Sequence, residues 1–257
     1  TGSTGEKSCF GPSSPGGGVN GGPCINLDKK VDDSDTTEKV NLAYKFDDDH
    51  MVYATYSTGY RPGGVNRRGD FAPYEPDFLD NYEVGWKTAW ANGTLRWNGA
   101  AFWQQWDDFQ FTFLGPNGLP IVTNAGAAEI PGIETDLEWA TTDNLTLSGG
   151  LMWVKPELTE DFCEDVTAAP GACGASDFAP DGTTLPITPE FKANLIARYA
   201  YTFGEFDGHL QAAAAYTGSA HSALLLADEQ ALGGEMDDYT VVDLSASLDR
   251  GSWTAEL

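Results

Sequence analysis

Tyr82-Glu83-Val84-Gly85-Trp86-Lys87-Thr88-Ala89-Trp90 and Leu95-Arg96-Trp97-Asn98-Gly99-Ala100-Ala101-Phe102-Trp103-Gln104, joined by Ala91-Asn92-Gly93-Thr94, decide how this chain folds. In the first run Tyr82, Val84, Trp86 and Trp90 share one side, and Asn81, Glu83, Gly85 and Lys87 share the other. Strand side chains alternate with a period of two, so these sets lie on opposite faces of a sheet. In the second run Leu95, Trp97, Gly99, Ala101 and Trp103 alternate with Arg96, Asn98, Ala100, Phe102 and Gln104. Asn-Gly between two alternating runs signals a tight hairpin.

The same alternation recurs downstream. Ile133, Leu137 and Trp139 oppose Glu134, Asp136 and Glu138; Leu145, Leu147, Leu151 and Trp153 oppose Thr146, Ser148 and Gly150. Phe191, Leu195, Tyr199 and Phe203 oppose Lys192, Asn194 and Arg198. About ten strand candidates result, at residues 36–46, 50–60, 79–91, 94–114, 120–141, 145–155, 185–203, 208–218, 238–249 and 253 onward. Residues 1–35 are rich in Gly, Pro and Ser without periodicity, and read as loop.

The connections alternate in size. Asp47-Asp48-Asp49, Asn92-Gly93, Thr142-Asp143-Asn144, Gly204 to Asp207 and Arg250-Gly251-Ser252 are short. Arg61 to Phe78, Pro156 to Thr184 and Ser219 to Asp237 are long, and Gly115-Pro116-Asn117-Gly118 tops two extended arms. A soluble sandwich has no reason to sort loops this way. An up-and-down outer-membrane barrel does, with tight periplasmic turns on one rim and large external loops on the other.

Alternation alone leaves open which face is inside. The polar faces carry both signs, with Glu83 and Lys87 on one strand and Arg96 on the next. Such charges suit a wet lumen, because Lys or Arg facing the bilayer midplane costs roughly 2–4 kcal/mol. Tyr60, Trp90, Trp139 and Trp153 stand near strand ends, where an aromatic girdle belongs. The expectation is an all-β, antiparallel up-and-down transmembrane barrel with apolar side chains facing lipid. Strands 94–114 and 120–141 exceed a bilayer of about 30 Å, so they are expected to rise together beyond it on the external side.

Composition fits this reading. The chain has no run of about 18 apolar residues for a transmembrane helix, and barrel strands need only about 9–11 residues. A formal net charge of −25 argues against nucleic-acid binding, which needs Lys and Arg for phosphates. The acids gather in turns and loops, as in Asp32-Asp33-Ser34-Asp35 and Asp237-Asp238. They read as solvated turns, with loop Ca²⁺ or Mg²⁺ as the other reading. Four cysteines permit three connectivities. Proximity favours Cys9–Cys24 and Cys163–Cys173, which implies an oxidising compartment. Zinc has no CxxC spacing or nearby His to hold it. Without an initiator Met or a signal segment, and ending in strand-like sequence at Leu257, the chain reads as a fragment of a longer protein.

Met51-Val52-Tyr53-Ala54-Thr55-Tyr56-Ser57-Thr58-Gly59-Tyr60-Arg61-Pro62-Gly63-Gly64-Val65-Asn66 resembles a barrel strand and following loop of TonB-dependent outer-membrane receptors. Tyr82-Glu83-Val84-Gly85-Trp86-Lys87 through Asp107-Asp108-Phe109 resembles the hairpin that follows. Asn124-Ala125-Gly126, Gly132-Ile133-Glu134 and Thr142-Asp143-Asn144-Leu145-Thr146-Leu147 resemble the next strand, its turn and the return strand. The resemblance runs from about Thr36 to the end. It implies a barrel of about 22 strands, an N-terminal plug and energy drawn through the TonB complex. Residues 1–35 would be an external loop segment and residues 36–257 a partial barrel domain, with the plug and last strand absent. The implied place is the outer membrane of a Gram-negative bacterium, with long loops extracellular and lipid and lipopolysaccharide as neighbours. The implied function is active uptake of a scarce nutrient of the ferric siderophore, haem, cobalamin or saccharide class. A passive porin-like channel and a surface β-rich adhesin are the competing readings.

No catalytic constellation is present, so no enzyme activity is expected, and nothing calls for a cofactor or a resident metal. G-x-S-x-G, P-loop and H-E-x-x-H patterns do not occur. Candidate ligand-binding residues are Arg61, Arg67, Arg68, Tyr74 and His221. The three arginines form a basic cluster in a long loop. They would grip an anionic small-molecule ligand, or instead pair with lipopolysaccharide phosphates or with Asp70 and Glu75. Tyr74, with Phe71 and Phe78, would stack on a sugar or chelator, or pack the loop's own core. His221 would meet a ligand such as haem, or simply be solvated. Glu83, Lys87, Arg96, Glu134 and Arg198 are expected to line water or meet the plug.

Overall fold

The computed structural model describes residues 30–66, 73–114, 120–164 and 173–257. Arg67, Arg68, Cys9, Cys24, most of segment 1–35 and the 115–119 connection lie outside the described residues. The strands are β1 (Lys39–Lys45), β2 (His50–Arg61), β3 (Asp77–Trp90), β4 (Leu95–Asp107), β5 (Gln110–Leu114), β6 (Pro120–Asn124), β7 (Ala128–Ala140) and β8 (Leu145–Val154). There follow β9 (Glu157–Leu158), β10 (Phe162–Cys163), β11 (Phe178–Ala179), β12 (Phe191–Phe203), β13 (Phe206–Thr217), helix α1 (Leu226–Ala231), β14 (Tyr239–Arg250) and β15 (Trp253–Glu256).

Ten of these strands make one antiparallel path, β1-β2-β3-β4-β7-β8-β12-β13-β14-β15, with β9 added beside β7. The described strands do not close into a barrel: β1 and β15 are free edges. Loop sizes alternate as the sequence predicts. Tight turns join β1–β2, β3–β4, β7–β8, β12–β13 and β14–β15, and long segments make the other connections. In the β3–β4 turn Asn92 and Gly93 take positive φ of 58° and 82°, which is why Asn-Gly suits it.

Register carries each face across the whole sheet. Leu42, Ala54, Val84, Ala101 and Ile133 lie side by side on successive strands. Further along the same face come Leu147 opposite Ala197, and Ala212 opposite Leu244. These apolar side chains stay open: Val84 and Leu195 are each 59% exposed and Leu244 is 76% exposed. Along β3 the apolar run from Tyr82 to Trp90 spans about 27 Å of strand, or about 21 Å of height at a tilt of about 40°, close to an outer-membrane apolar band.

The opposite face is polar. Lys87, Asn98, Asp136 and Asn194 occupy one register row with Gly150 between the last two, and Asn98 donates to Asp136 at 3.0 Å. A cavity of about 570 Å³ lies on this side, lined by strands as far apart as β2 (Tyr53) and β13 (Thr217). The sheet therefore curls towards its polar face. Rings lie across glycines on neighbouring strands: a Cβ on Gly99 would come within 2.3 Å of Trp86, and one on Gly85 within 2.3 Å of Tyr53. Aromatic cover of this kind pins register and fills the gap a glycine leaves.

The two longest expected strands are not continuous. The 94–114 run breaks at Asp108-Phe109, and the 120–141 run breaks at Ala125 to Ala127. Asp108 and Gly126 both take positive φ, 52° and 73°, so β5 and β6 leave the sheet as a separate two-stranded arm. The expected 185–203 strand likewise starts only at Phe191.

The arm folds back to bury apolar side chains. Phe109, Ala125, Ala128, Leu158, Phe162, Leu185, Leu224 and Leu225 form one buried cluster, with Trp106, Phe111 and Ile130 against it. Trp106 pairs with Ala128 and Gln104 with Ile130 on the polar-face register, so this cluster sits over the polar side at the long-loop rim. Cys163 and Cys173 are disulfide-bonded, as expected, tying the segment that carries the β10–β11 hairpin.

Candidate functional site

The long-loop rim brings together segments from four connections on the polar side of the sheet. Arg61 closes β2 opposite Asp77, the first residue of β3. Its Nε donates to both Asp77 oxygens at 3.2 and 3.0 Å, and its Nη2 also pairs with that carboxylate. Nη2 further donates to the Gln110 carbonyl at 3.2 Å, and the guanidinium lies 5.6 Å over the Trp106 ring. Asp77 is only 2% exposed and also accepts from the Gln110 backbone N–H at 3.0 Å. Arg61 thus neutralises a buried carboxylate, and leaving it for a ligand would strand that charge.

Amide side chains staple the loop after β2 to the arm. Gln110 donates to the carbonyls of Pro62 and Glu75, both at 3.0 Å. Asn124 accepts from Glu75 N–H at 2.9 Å and donates to Glu75 and Asp108 carbonyls at 3.0 and 2.6 Å. Buried Asn66 exchanges two hydrogen bonds with the Val122 backbone, at 2.9 and 2.8 Å, in the manner of a paired strand residue. Asp33 accepts from Gly63 N–H at 3.0 Å, and this bond holds its carboxyl below the usual range.

Tyr74 belongs to the same unit. Its backbone exchanges hydrogen bonds with Gly64 at 3.0 and 2.9 Å, and its ring lies across that glycine. Its ring is therefore part of the loop's own packing. His221 sits in the β13–β14 connection. Its Nδ1 meets Glu229 at 2.9 Å and Glu235 at 3.8 Å, and its carbonyl accepts from Ile187 N–H at 2.8 Å. Glu229, on α1, is buried and also accepts from Ser222 N–H at 3.2 Å. A smaller cavity of about 260 Å³ opens beside His221, Glu235, Glu190, Thr184 and Thr188.

Glu164, beside the disulfide, is pushed above the usual glutamate range by burial first, then by Asp228 and Asp177. Lys155 is raised by its partner Glu157, 2.8 Å away. Among the described residues no three His, Cys, Asp or Glu side chains are placed to hold a metal ion.

Arg61 and Tyr74 thus share one stapled unit, while His221 sits in another loop. Among the described residues the two loops meet through the buried cluster, which Trp106 packs against and to which Leu224 and Leu225 belong. Sequence reasoning missed Asp77, Gln110, Asn124, Asn66 and Glu229. Asp77 had a usable signal: a strand pairing that sets Tyr56 opposite Tyr82 places Arg61 opposite Asp77. The amides offered none.

Comparison with known proteins gives concordant results. Residues 13–257 match the family described as TonB dependent receptor-like, beta-barrel. The pesticin receptor of Yersinia enterocolitica is 32% identical over 136 residues, which is 51% of this chain and 20% of that protein. The ferric yersiniabactin uptake receptor of Yersinia pestis superposes with TM-score 0.61 at 18% identity, covering 81% of this chain and 29% of that one. The ferric preacinetobactin receptor of Acinetobacter baumannii gives TM-score 0.59 at 22% identity, covering 84% and 29%. The chain therefore spans about a fifth to a third of the length of these relatives. That family of barrels implies a Gram-negative outer membrane. With its alternating loops, two-faced antiparallel sheet and polar cavity, this chain belongs to the TonB-dependent receptor β-barrel family.

Proposed function

We propose that this chain is the rim-and-wall portion of a receptor that takes up a ferric siderophore across the outer membrane, driven through TonB. The observation that carries this reading is the mouth itself. Loops from three connections share one buried cluster on the polar side of the sheet, and the loop after β2 is stapled to it through Gln110 and Asn124, a packed cap that favours selective entry over an open pore. The names borne by the relatives, ferric yersiniabactin uptake receptor and ferric preacinetobactin receptor, favour an iron chelate over haem, cobalamin or a saccharide. In this reading the long loops face outward, residues 1–35 belong to an external loop and residues 36–257 to the barrel. Lipid and lipopolysaccharide surround the apolar face. Arg61, Arg67, Arg68, Tyr74 and His221 remain the proposed ligand contacts, with Arg61 acting only through the part of its guanidinium that Asp77 leaves free.

A strain lacking the gene should lose growth on ferric siderophore as sole iron source, and keep growth on haem. Restoring the gene should restore siderophore-dependent growth only when TonB is present. Growth that persists without TonB would instead make this a passive channel.

A further inference from the structure

The cavity beside His221 lies apart from the stapled Arg61 unit, at the long-loop end of the β12–β13 hairpin. Its volume of about 260 Å³ falls below the range of about 300–1,000 Å³ in which pockets hold drug-sized molecules. It therefore suits a small molecule or one arm of a larger one.

Its walls are tied together by backbone hydrogen bonds. Gly218 N–H donates to the Phe191 carbonyl at 2.9 Å, and Ile187 N–H donates to the His221 carbonyl at 2.8 Å. Ala220 and Met236 exchange hydrogen bonds at 3.1 and 2.8 Å, which sets the segment carrying Glu235 beside the one carrying His221. The His221 Nδ1 is held by buried Glu229, which also accepts from Ser222 N–H. A carboxylate at Nδ1 puts the proton of the neutral ring there and leaves Nε2 as an acceptor.

The lining offers acceptors and no cation. Glu190, Glu235 and the His221 ring face it together with the hydroxyls of Thr184, Thr188 and Ser219. The Thr188 hydroxyl donates its own proton to the Pro186 carbonyl at 3.3 Å, so its lone pairs remain for a ligand. Among the described residues that line the cavity none is Lys or Arg. Lys155, the cation that Glu190 influences, is bonded to Glu157 at 2.8 Å. The Phe191 and Tyr216 rings, 6.0 Å apart, supply an apolar side.

We propose that this cavity binds a primary alkylammonium group. Its three N–H donors match the two carboxylates and Nε2, and its methylene stem matches the two rings, whose faces also attract a cation. A bare metal ion fits less well, since among the described residues no three His, Cys, Asp or Glu side chains are placed to hold one. An anion would meet two carboxylates and no compensating charge. An amine-bearing chelate and a free polyamine present the same group.

The test uses the full-length receptor in detergent micelles, with 1,5-diaminopentane as probe and saturation-transfer difference NMR as readout. The unaltered protein should give a saturable signal with the diamine and none with 1,5-pentanediol, which has the same length and no charge. Glu190→Gln/Glu235→Gln should raise the apparent Kd about tenfold, the size of one lost charge-assisted hydrogen bond. Asp48→Asn/Asp49→Asn, at a tight turn on the other rim, should leave it unchanged. Equal binding of the diol, an unchanged Kd in the Gln variant, or an equal rise in the Asn variant would each overturn the proposal. Both glutamates are exposed, so the Gln variant should fold. If it does not, the diol comparison in the unaltered protein decides alone. Competition then separates the sources. Stronger displacement of the diamine by a ferric trihydroxamate with a free aminopentyl arm than by its N-acetylated form places the group on a chelate. Equal displacement by the two forms places it on a free polyamine. Neither measurement uses TonB-dependent growth, so this site and the uptake reading stand or fall separately.

Discussion

The sheet and the loop cap obey opposite rules of burial. Across the sheet, large apolar side chains such as Leu42, Leu195 and Leu244 stand open, and no core forms beneath them. At the rim, Leu158, Phe162, Leu224 and Leu225 are nearly sealed in one cluster. The difference teaches where each region takes its stability. The cap carries its own hydrophobic core, as a small soluble domain does. The sheet has its backbone ladder, and its apolar face stays open.

The largest separation between the two should come from the cap. Leu158 is 1% exposed at the centre of the cluster. Leu158→Ala should cost the cap about 2–5 kcal/mol. Hydrogen exchange should then quicken across residues 156–164 and 219–238 while the sheet amides stay protected. If the sheet amides quicken equally, the two regions are one cooperative unit and the contrast fails. Val84→Arg is the reciprocal change, at an open position on the apolar face. It should cost roughly 2–4 kcal/mol near the bilayer midplane. Folding into liposomes, followed by the heat-dependent gel shift of folded barrels, measures it. Asn98→Arg, one strand away on the polar side, should fold nearly as well as the unaltered protein.

These two faces were open to sequence reasoning because a period of two is local and repeats. Val84 and Lys87 could be assigned to sides from their neighbours alone. The cap was closed to it for a physical reason. Its contacts join residues far apart, such as Phe111 and Phe162, whose rings lie 6.0 Å apart. The breaks at Asp108 and Gly126 were likewise hidden, since the flanking residues keep strand-like character and only the backbone reverses hand. Arg61 was singled out for its charge, yet its use is set by Asp77, sixteen residues on. Within the loops only Phe71, Tyr74 and Phe78 are read from sequence as able to pack a core, and Leu224 and Leu225 carry no periodic pattern to mark them.

A smaller effect sharpens the boundary between cap and sheet. Asp77→Asn removes the charge that holds Arg61 and weakens the acceptor for Gln110 N–H. The loss should be about 1–3 kcal/mol, felt as faster exchange at residues 62–66 and 73–76. Siderophore uptake distinguishes the two roles of Arg61. If it serves only Asp77, then Arg61→Gln and Asp77→Asn should impair uptake alike. If its free edge also grips ligand, Arg61→Gln should impair uptake more.

The smallest expected effect concerns pH and is confined to the cap. Glu164 has its carboxyl raised by burial and by Asp228 and Asp177, so the folded cap holds this proton more tightly than the unfolded chain. Its stabilising share is complete below the unfolded glutamate value and is lost as pH rises through the raised folded value. Asp33 has the opposite sign, because the Gly63 N–H favours its charged form. Its share is present above the unfolded aspartate value and is lost as pH falls through the depressed folded one. Protection of residues 156–164 should therefore increase on mild acidification, before the Asp33 contact weakens at lower pH. Glu164→Gln should flatten the first response and leave the second intact. It should also slightly raise protection of this loop at neutral pH, because the amide carries no charge to be repelled by Asp228. Hydrogen exchange across a pH series, corrected for intrinsic rates, reads both arms in one protein. An unchanged first arm in Glu164→Gln would place that proton on another group of the cap.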